Sequence, residues 1–230
     1  MTPMVIAVDV DGTLYEHSQV APEAVDALAA ATRLGHHVVI VTGRTWESLA
    51  VVIPEVLPHC LGAVCENGGV LVEIAAGRAS LLHRAANPVL VERLLQVGVA
   101  PLDVGQVALG APTAQGALVG RVLAEVGGDE VVVQNKDSVM LLPPGCDKAT
   151  GLRAALTAFG LTGAPIIAIG DAGNDLPMFA MATYPRAVAN ADDAVRASGF
   201  PLTAAPAGLG VAEVLHELLL GATQQQQQQQ

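Results

Sequence analysis

Met4-Val5-Ile6-Ala7-Val8-Asp9-Val10-Asp11-Gly12-Thr13 runs an apolar segment straight into two carboxylates. A continuous apolar run, rather than an alternating one, suits a strand whose sheet is covered on both faces, as parallel strands flanked by helices are. Asp-Gly then offers a turn out of the strand. Outward from this stretch the same unit recurs. Residues 22–34 read as a helix with proline early and Gly35 just past its end, the usual start and stop signals. Residues 38–41 form a second strand, 46–53 a helix closed by Pro54, and 63–65 a short third strand. A later helix is punctuated by 160–163 before the strand at 166–169, and a helix, a short strand and a last helix reach about Leu219. Alternating strands and helices predict an α/β fold, a Rossmann-like parallel-sheet core.

The middle of the chain breaks that rhythm. Two helices, 88–97 and 113–126, interleave with strands at 106–109, 131–134 and 139–142, and Asn135-Lys136-Asp137-Ser138 makes a turn between the last two. Mostly antiparallel pairing follows, so 83–142 is expected to be a small inserted α+β cap, leaving 1–82 and 143–221 as the core. Before it, 68–74 and 78–82 form a hairpin around Ala75-Ala76-Gly77. The glutamine-only end of the 222–230 tail has nothing to bury and is expected to be disordered.

Composition removes several function classes. The 230 residues are 52% hydrophobic and 14% charged, enough for a large core and too apolar for global disorder. Net charge is −11, the wrong sign for a chain that neutralises nucleic-acid phosphates. No apolar run approaches the ~18 residues of a membrane span, and the N-terminus lacks the basic region of a signal peptide. Three cysteines without CxxC spacing fit a reduced cytoplasmic setting as small core or loop residues, and the six histidines hold no HExxH pair. An acidic chain that handles an anion needs a local cation, such as a metal.

Four segments carry the chemistry: Asp9–Thr13, Thr42-Gly43-Arg44, Asp147-Lys148 and Gly170-Asp171-Ala172-Gly173-Asn174-Asp175. Each alone is an ordinary turn or helix cap. Three of them follow strands, and ligands of open parallel sheets sit at strand carboxyl ends, so adjacent strands would bring them to one crevice. Asp9, Asp11, Asp171 and Asp175 would gather up to four carboxylates, whose repulsion calls for a cation. All-oxygen ligation selects a hard ion such as Mg²⁺. Thr42, Lys148 and backbone N–H groups near Gly43 would hold phosphate oxygens. Nucleophile, acid/base, metal and cation together suit phosphoryl transfer to a carboxylate. There is no GxSxG elbow, no GxxxxGK[ST] loop and no GxGxxG after the first strand.

These four segments, in this order, resemble the haloacid dehalogenase-like superfamily of hydrolases, specifically its Cof-type subfamily IIB phosphatases. Cys65-Glu66-Asn67-Gly68-Gly69 resembles the family's ENG-type flap, and 187–192 with Gly210-Val211-Ala212 its closing pattern. The resemblance implies a mobile cap over the core. It implies that Asp9 is the nucleophile, forming an aspartyl-phosphate, and that Asp11 is the general acid and base. It implies that Thr42 and Lys148 hold the phosphoryl group, with Gly43, Arg44, Asn67 and Asn174 on the substrate side. Mg²⁺ would be bound by Asp9, Asp171, Asp175 and the main-chain carbonyl of Asp11. The short insert is similar to that of small-capped phosphoglycolate phosphatases. Sugar-phosphate phosphatases, phosphomutase-type transferases and a non-catalytic phosphometabolite-binding protein are the alternatives. The expected partner is a small phosphorylated metabolite, not nucleic acid or membrane, with the chain a monomer or homodimer. Arg84, Arg93, Gln106, Thr113, Gln115, Arg121, Gln134 and Lys136 are the expected selectors within the insert.

Overall fold

The computed structural model describes residues 2–135 and 138–220. The glutamine tail, and Lys136 and Asp137 of the expected turn, lie outside the described residues. In chain order the strands are β1 (Val5–Val8), the small hairpin β2 (Tyr15–Glu16) and β3 (Gln19–Val20), β4 (His37–Val41), β5 (Cys60–Cys65), β6 (Val70–Glu73) and β7 (Arg78–Leu81). They continue with β8 (Asp103–Val104), β9 (Leu109–Pro112), β10 (Val131–Asn135), β11 (Ser138–Leu142), β12 (Ile166–Gly170) and β13 (Tyr184–Ala187). The helices are α1 (Pro22–Arg33), α2 (Trp46–Val52), α3 (Pro88–Gln96), α4 (Gly116–Val126), α5 (Lys148–Ala158), α6 (Leu176–Met181), α7 (Asp193–Ala197) and α8 (Ala207–Leu215).

Seven strands form the main sheet in the order β13-β12-β1-β4-β5-β6-β7. The first five are parallel, and β6 and β7 extend the sheet as the expected antiparallel hairpin. Every residue of β1 is buried. Ile6 and Val8 pack with Ala24, Leu28 and Val211 from α1 and α8. Val5 and Ala7 pack with Leu152, Ala155 and Phe179 from α5 and α6 on the other face. Two covered faces are why the strand is apolar without alternation. The chain leaves β1 toward β4 and β5, then returns to place β12 on β1's other side. The strand order therefore reverses beside β1, and a ligand crevice belongs at its carboxyl end.

The middle segment builds a second, antiparallel sheet, β10-β11-β9-β8. One face buries Leu109, Ala111, Val139 and Leu141 against Leu90 and Leu94 of α3 and Val119 and Val122 of α4. The strand expected at 106–109 is not there. Val107 and Ala108 instead pack into the main core with Met140 and Leu142, so a turn at 105–108 separates β8 from β9. The apolar residues that suggested a strand are buried in a neighbouring unit, not in a ladder. The helix expected over 113–126 begins with a 3₁₀ turn, Thr113–Gln115, and the third core strand starts at Cys60 rather than Ala63. Among the described residues, no helix is long and apolar enough to cross a membrane.

Candidate active site

Asp9 directly follows β1, and its N–H donates to the Ile169 carbonyl at 2.9 Å, so the ladder with β12 fixes its backbone. Asp171 follows β12, and Thr42 follows β4 with its N–H on the Val64 carbonyl at 2.8 Å. Lys148 opens α5, where Asp147 caps the helix: its carboxylate accepts the Thr150 N–H at 2.7 Å, and the Thr150 hydroxyl accepts the Asp147 N–H at 3.0 Å. This capping box sets the direction of the first turn. The Lys148 side chain runs inward and is almost completely buried.

Its ammonium sits between two carboxylates, donating to Asp9 Oδ1 at 2.6 Å and to Asp175 Oδ1 at 2.5 Å. Asp175 Oδ2 accepts the N–H groups of Asp171 at 2.9 Å and Ala172 at 3.0 Å. The Thr13 hydroxyl donates to Asp171 Oδ1 at 3.1 Å. Gly170 makes this folding-back possible: a Cβ there would lie 2.5 Å from the Asp175 carboxyl carbon. Asp9, Asp171 and Asp175 offer oxygens within 4.8 Å of one another, all from buried side chains. Once all three carboxylates are ionised, they exceed the charge of one ammonium by two, which a divalent cation would balance. Buried oxygen donors of this kind fit a hard ion. Burial first, then Asp175 and Asp171 nearby, push the Asp9 carboxyl well above its ordinary range, against the opposing pull of Lys148. Burial opposes the charge on Lys148, but Asp175 and Asp9 outweigh it and raise the ammonium above its usual value.

Asp11 does not join that trio. Its carboxylate receives the Arg44 guanidinium in a fork, Nε at 2.8 Å and Nη2 at 2.6 Å. Arg44 Nη1 donates to the Ser48 hydroxyl at 2.9 Å, and the guanidinium lies 5.5 Å from the centre of the Tyr15 ring. Three of the four expected carboxylates therefore converge, and the fourth pairs with the residue expected to meet substrate. Thr42 is fully buried, and its hydroxyl accepts the Arg44 N–H at 3.1 Å. Asn174 donates to Asn67 Oδ1 at 3.0 Å, while its own Oδ1 is buried with no hydrogen-bond partner.

The segment expected to resemble a flap, Glu66, Asn67 and Gly68, forms a buried turn against the core. Gly68 lies against the start of α5, with φ +109°, and a Cβ there would collide with the Asp147 carbonyl. Close approach at this point is what lets Lys148 enter the site. Gly68→Ala is expected to cost about 3 kcal/mol or more, from overpacking plus backbone strain. Urea unfolding would measure it, and a loss below about 1 kcal/mol would separate Gly68 from the placement of α5.

A cavity of about 490 Å³ opens beside Asp11, lined by Gly43, Arg44, Thr45 and Ser48 of the core, by Gly105 and Ala108 of the 105–108 turn, and by Asp103, Ser138 and Met140 of the second sheet. Among the described residues, none of the expected selectors lines it. Arg84 pairs with Asp129 and Glu130, Arg93 with Glu125, and Gln115 with the Ala100 backbone. Lys136 lies outside the described residues.

Supporting residues were missed as well. Asn190 donates to the Gly12 carbonyl at 2.8 Å, and Asp192 accepts the Gly173 N–H at 2.9 Å, steadying both acidic loops. Thr13 was visible in the first motif, whereas Asn190 and Asp192 had no signal beyond their place in the closing pattern. The cysteines are free and act as packing residues: burial lifts the thiols of Cys60 and Cys146 to about 12, keeping them protonated.

Against known proteins, a family model described as haloacid dehalogenase-like hydrolase matches residues 6–99 and 115–215. A phosphoglycolate phosphatase of Nitrosopumilus maritimus is 29% identical over 241 residues, covering 95% of this chain and 97% of that protein. One of Halorubrum lacusprofundi is 33% identical over 227 residues, covering 93% and 96%. The solved structure of a haloacid dehalogenase-like hydrolase from Bacteroides thetaiotaomicron matches with a TM-score of 0.78 at 19% identity, over 94% of this chain and all of that one. With its acidic trio beside the central strand and a family match over most of its length, the chain belongs to the haloacid dehalogenase-like hydrolases.

Proposed function

We propose that this hydrolase is a Mg²⁺-dependent phosphatase that cleaves a small phosphorylated metabolite, with phosphoglycolate as the first substrate to test. Its class is that of a phosphoric monoester hydrolase. One observation carries the reading: Asp9, Asp171 and Asp175 lie together, buried, at the point where the strand order reverses, with the Lys148 ammonium on Asp9 and Asp175. The curated relatives bear the name phosphoglycolate phosphatase. In this reading 83–142 serves as a cap on the core formed by 1–82 and 143–221. A 490 Å³ cavity suits a compact leaving group.

Asp9, Asp171 and Asp175, with the Asp11 carbonyl, would hold Mg²⁺. Bound there, the ion would offset phosphate charge and act as a Lewis acid on a phosphoryl oxygen. Asp9 attacks phosphorus, the ester oxygen leaves, and Asp11 gives it a proton. The product of this step is an aspartyl-phosphate. Asp11, now a carboxylate, takes a proton from the water that attacks that phosphorus, which frees phosphate and restores Asp9. Thr42 and Lys148 hold phosphoryl oxygens, with the Gly43 backbone and Asn174 close by. An incoming phosphate competes with Asp11 for the Arg44 guanidinium, which releases Asp11 to take up its proton.

Asp103 and Ser138 on the cavity wall favour a leaving group that carries hydroxyls over one that carries a carboxylate. A sugar phosphate is therefore the second reading. Comparing kcat/KM for phosphoglycolate with a panel of sugar phosphates decides between the two. Hydrolysis of para-nitrophenyl phosphate is expected to fall at least a hundredfold after exhaustive chelation, to return with Mg²⁺, and to be inhibited by Ca²⁺. The larger ion accepts looser geometry and spoils the in-line approach. Mg²⁺ at about a hundred times its Kd should also stabilise the fold by about 2.7 kcal/mol. Full activity after chelation would remove the metal from the account.

A further inference from the structure

The turn at 105–108 belongs to the middle segment by sequence and to the core by packing. Val107 and Ala108 are buried in the main hydrophobic cluster, and Val107 lies against Gly69. The Glu66 carboxylate closes on the same turn. Its Oε1 accepts the Gln106 N–H at 3.0 Å, and its Oε2 accepts those of Val107 at 2.7 Å and Ala108 at 2.9 Å. Gly105 completes the fit, because a Cβ there would run into that carboxylate. Glu66 is itself held in an unusual state. It is buried, and it and Asn67 have φ of +53° and +55°, two successive non-glycine residues in the left-handed region. Such a conformation persists only where surrounding contacts impose it.

The backbone of Glu66 and Asn67 reaches the phosphate side of the site. Glu66 N–H donates to the Arg44 carbonyl and Asn67 N–H to the Thr42 carbonyl, both at 2.9 Å. Gly105 and Ala108 line the cavity together with Glu66 and Arg44. We infer that Glu66 is the positioning residue that pins the 105–108 turn to the core, so that Gly105 and Ala108 stay as a fixed wall of the substrate cavity. A carboxyl group suits the task, since its two oxygens can accept several backbone N–H groups at once. The role of the wall in substrate choice rests on the phosphatase reading; the pinning of the turn does not.

Hydrogen exchange on the full chain, comparing wild type with Glu66→Gln, tests the pinning directly. Glutamine keeps the size but sets an NH₂ group against a backbone N–H. The amides of Gln106, Val107 and Ala108 are expected to exchange at least tenfold faster, with those of β1 and α5 unchanged. KM for phosphoglycolate should rise at least tenfold while kcat changes less than threefold. If Glu66→Gln does not fold, Gly105→Ala strikes the same contact from the other side and is expected to give the same local acceleration. Exchange at the turn within twofold of wild type, or acceleration spread over the whole core in both variants, would overturn the inference. A local acceleration in a protein that hydrolyses no phosphate ester would keep the pin and discard the phosphatase reading.

Discussion

Asp9→Asn is expected to lower kcat by about 10⁴-fold or more, because an amide cannot serve as the nucleophile and the remaining groups act only with it. The fold should not suffer. The change is isosteric at the end of β1, and it removes one of three clustered buried carboxylates, two of which share the Lys148 ammonium. The metal-free protein carries a second signature. Asp9 titrates well above its ordinary value in the folded chain, so between about pH 4 and that raised value the folded state keeps a proton that the unfolded state has lost. Stability therefore falls as pH rises through this window. Asp9→Asn should flatten that slope and raise Tm at neutral pH without metal. Activity within about tenfold of wild type would end the assignment of Asp9, and an unchanged pH slope would end its electrostatic explanation.

Lys148→Met is expected to be the most damaging single change to the metal-free fold. The ammonium is nearly inaccessible and bonded to both Asp9 and Asp175. Its removal leaves buried carboxylates without their cation, a loss of the order of 3–5 kcal/mol for a broken buried pair. Methionine fills the volume, so the loss reports charge rather than a cavity. Mg²⁺ should recover part of the stability by compensating the same carboxylates, while turnover should stay at least about a thousandfold down because the proposed holder of the phosphoryl group is gone. Denaturant unfolding with and without Mg²⁺ measures both parts. A loss under about 1 kcal/mol without metal would mean that the trio is balanced by something other than Lys148.

How far this site could be read from residues alone depended on whether local sequence determined the local structure. The run into Asp9 was legible because β1 is covered on both faces, and the acidic segment after Ile166–Gly170 was legible for the same reason. Their meeting followed from adjacent parallel strands. The cavity was not legible. Polar residues of the insert looked like selectors, yet Arg84 and Arg93 spend their charge on neighbouring acids, and much of the wall is small residues that provide space. Val107 and Ala108 looked like strand residues because burial in a ladder and burial in a neighbouring core leave the same apolar trace. The Asp11–Arg44 pair spans 33 positions, and the Glu66 contacts span 40 to 42. No periodicity carries such information. Only the folded approach of separate elements creates it.

On the proposed route, phosphorus passes through Asp9 on its way to water. The direct test is one turnover of a ³²P-labelled phosphate ester with excess enzyme and Mg²⁺, quenched in acid within milliseconds and followed by peptide mapping. Transient label is expected on the peptide that contains Asp9, removed by hydroxylamine as an acyl phosphate is, and absent from Asp9→Asn. Release of inorganic phosphate at the full rate with no label on that peptide at any time, or label that persists in Asp9→Asn, would contradict it.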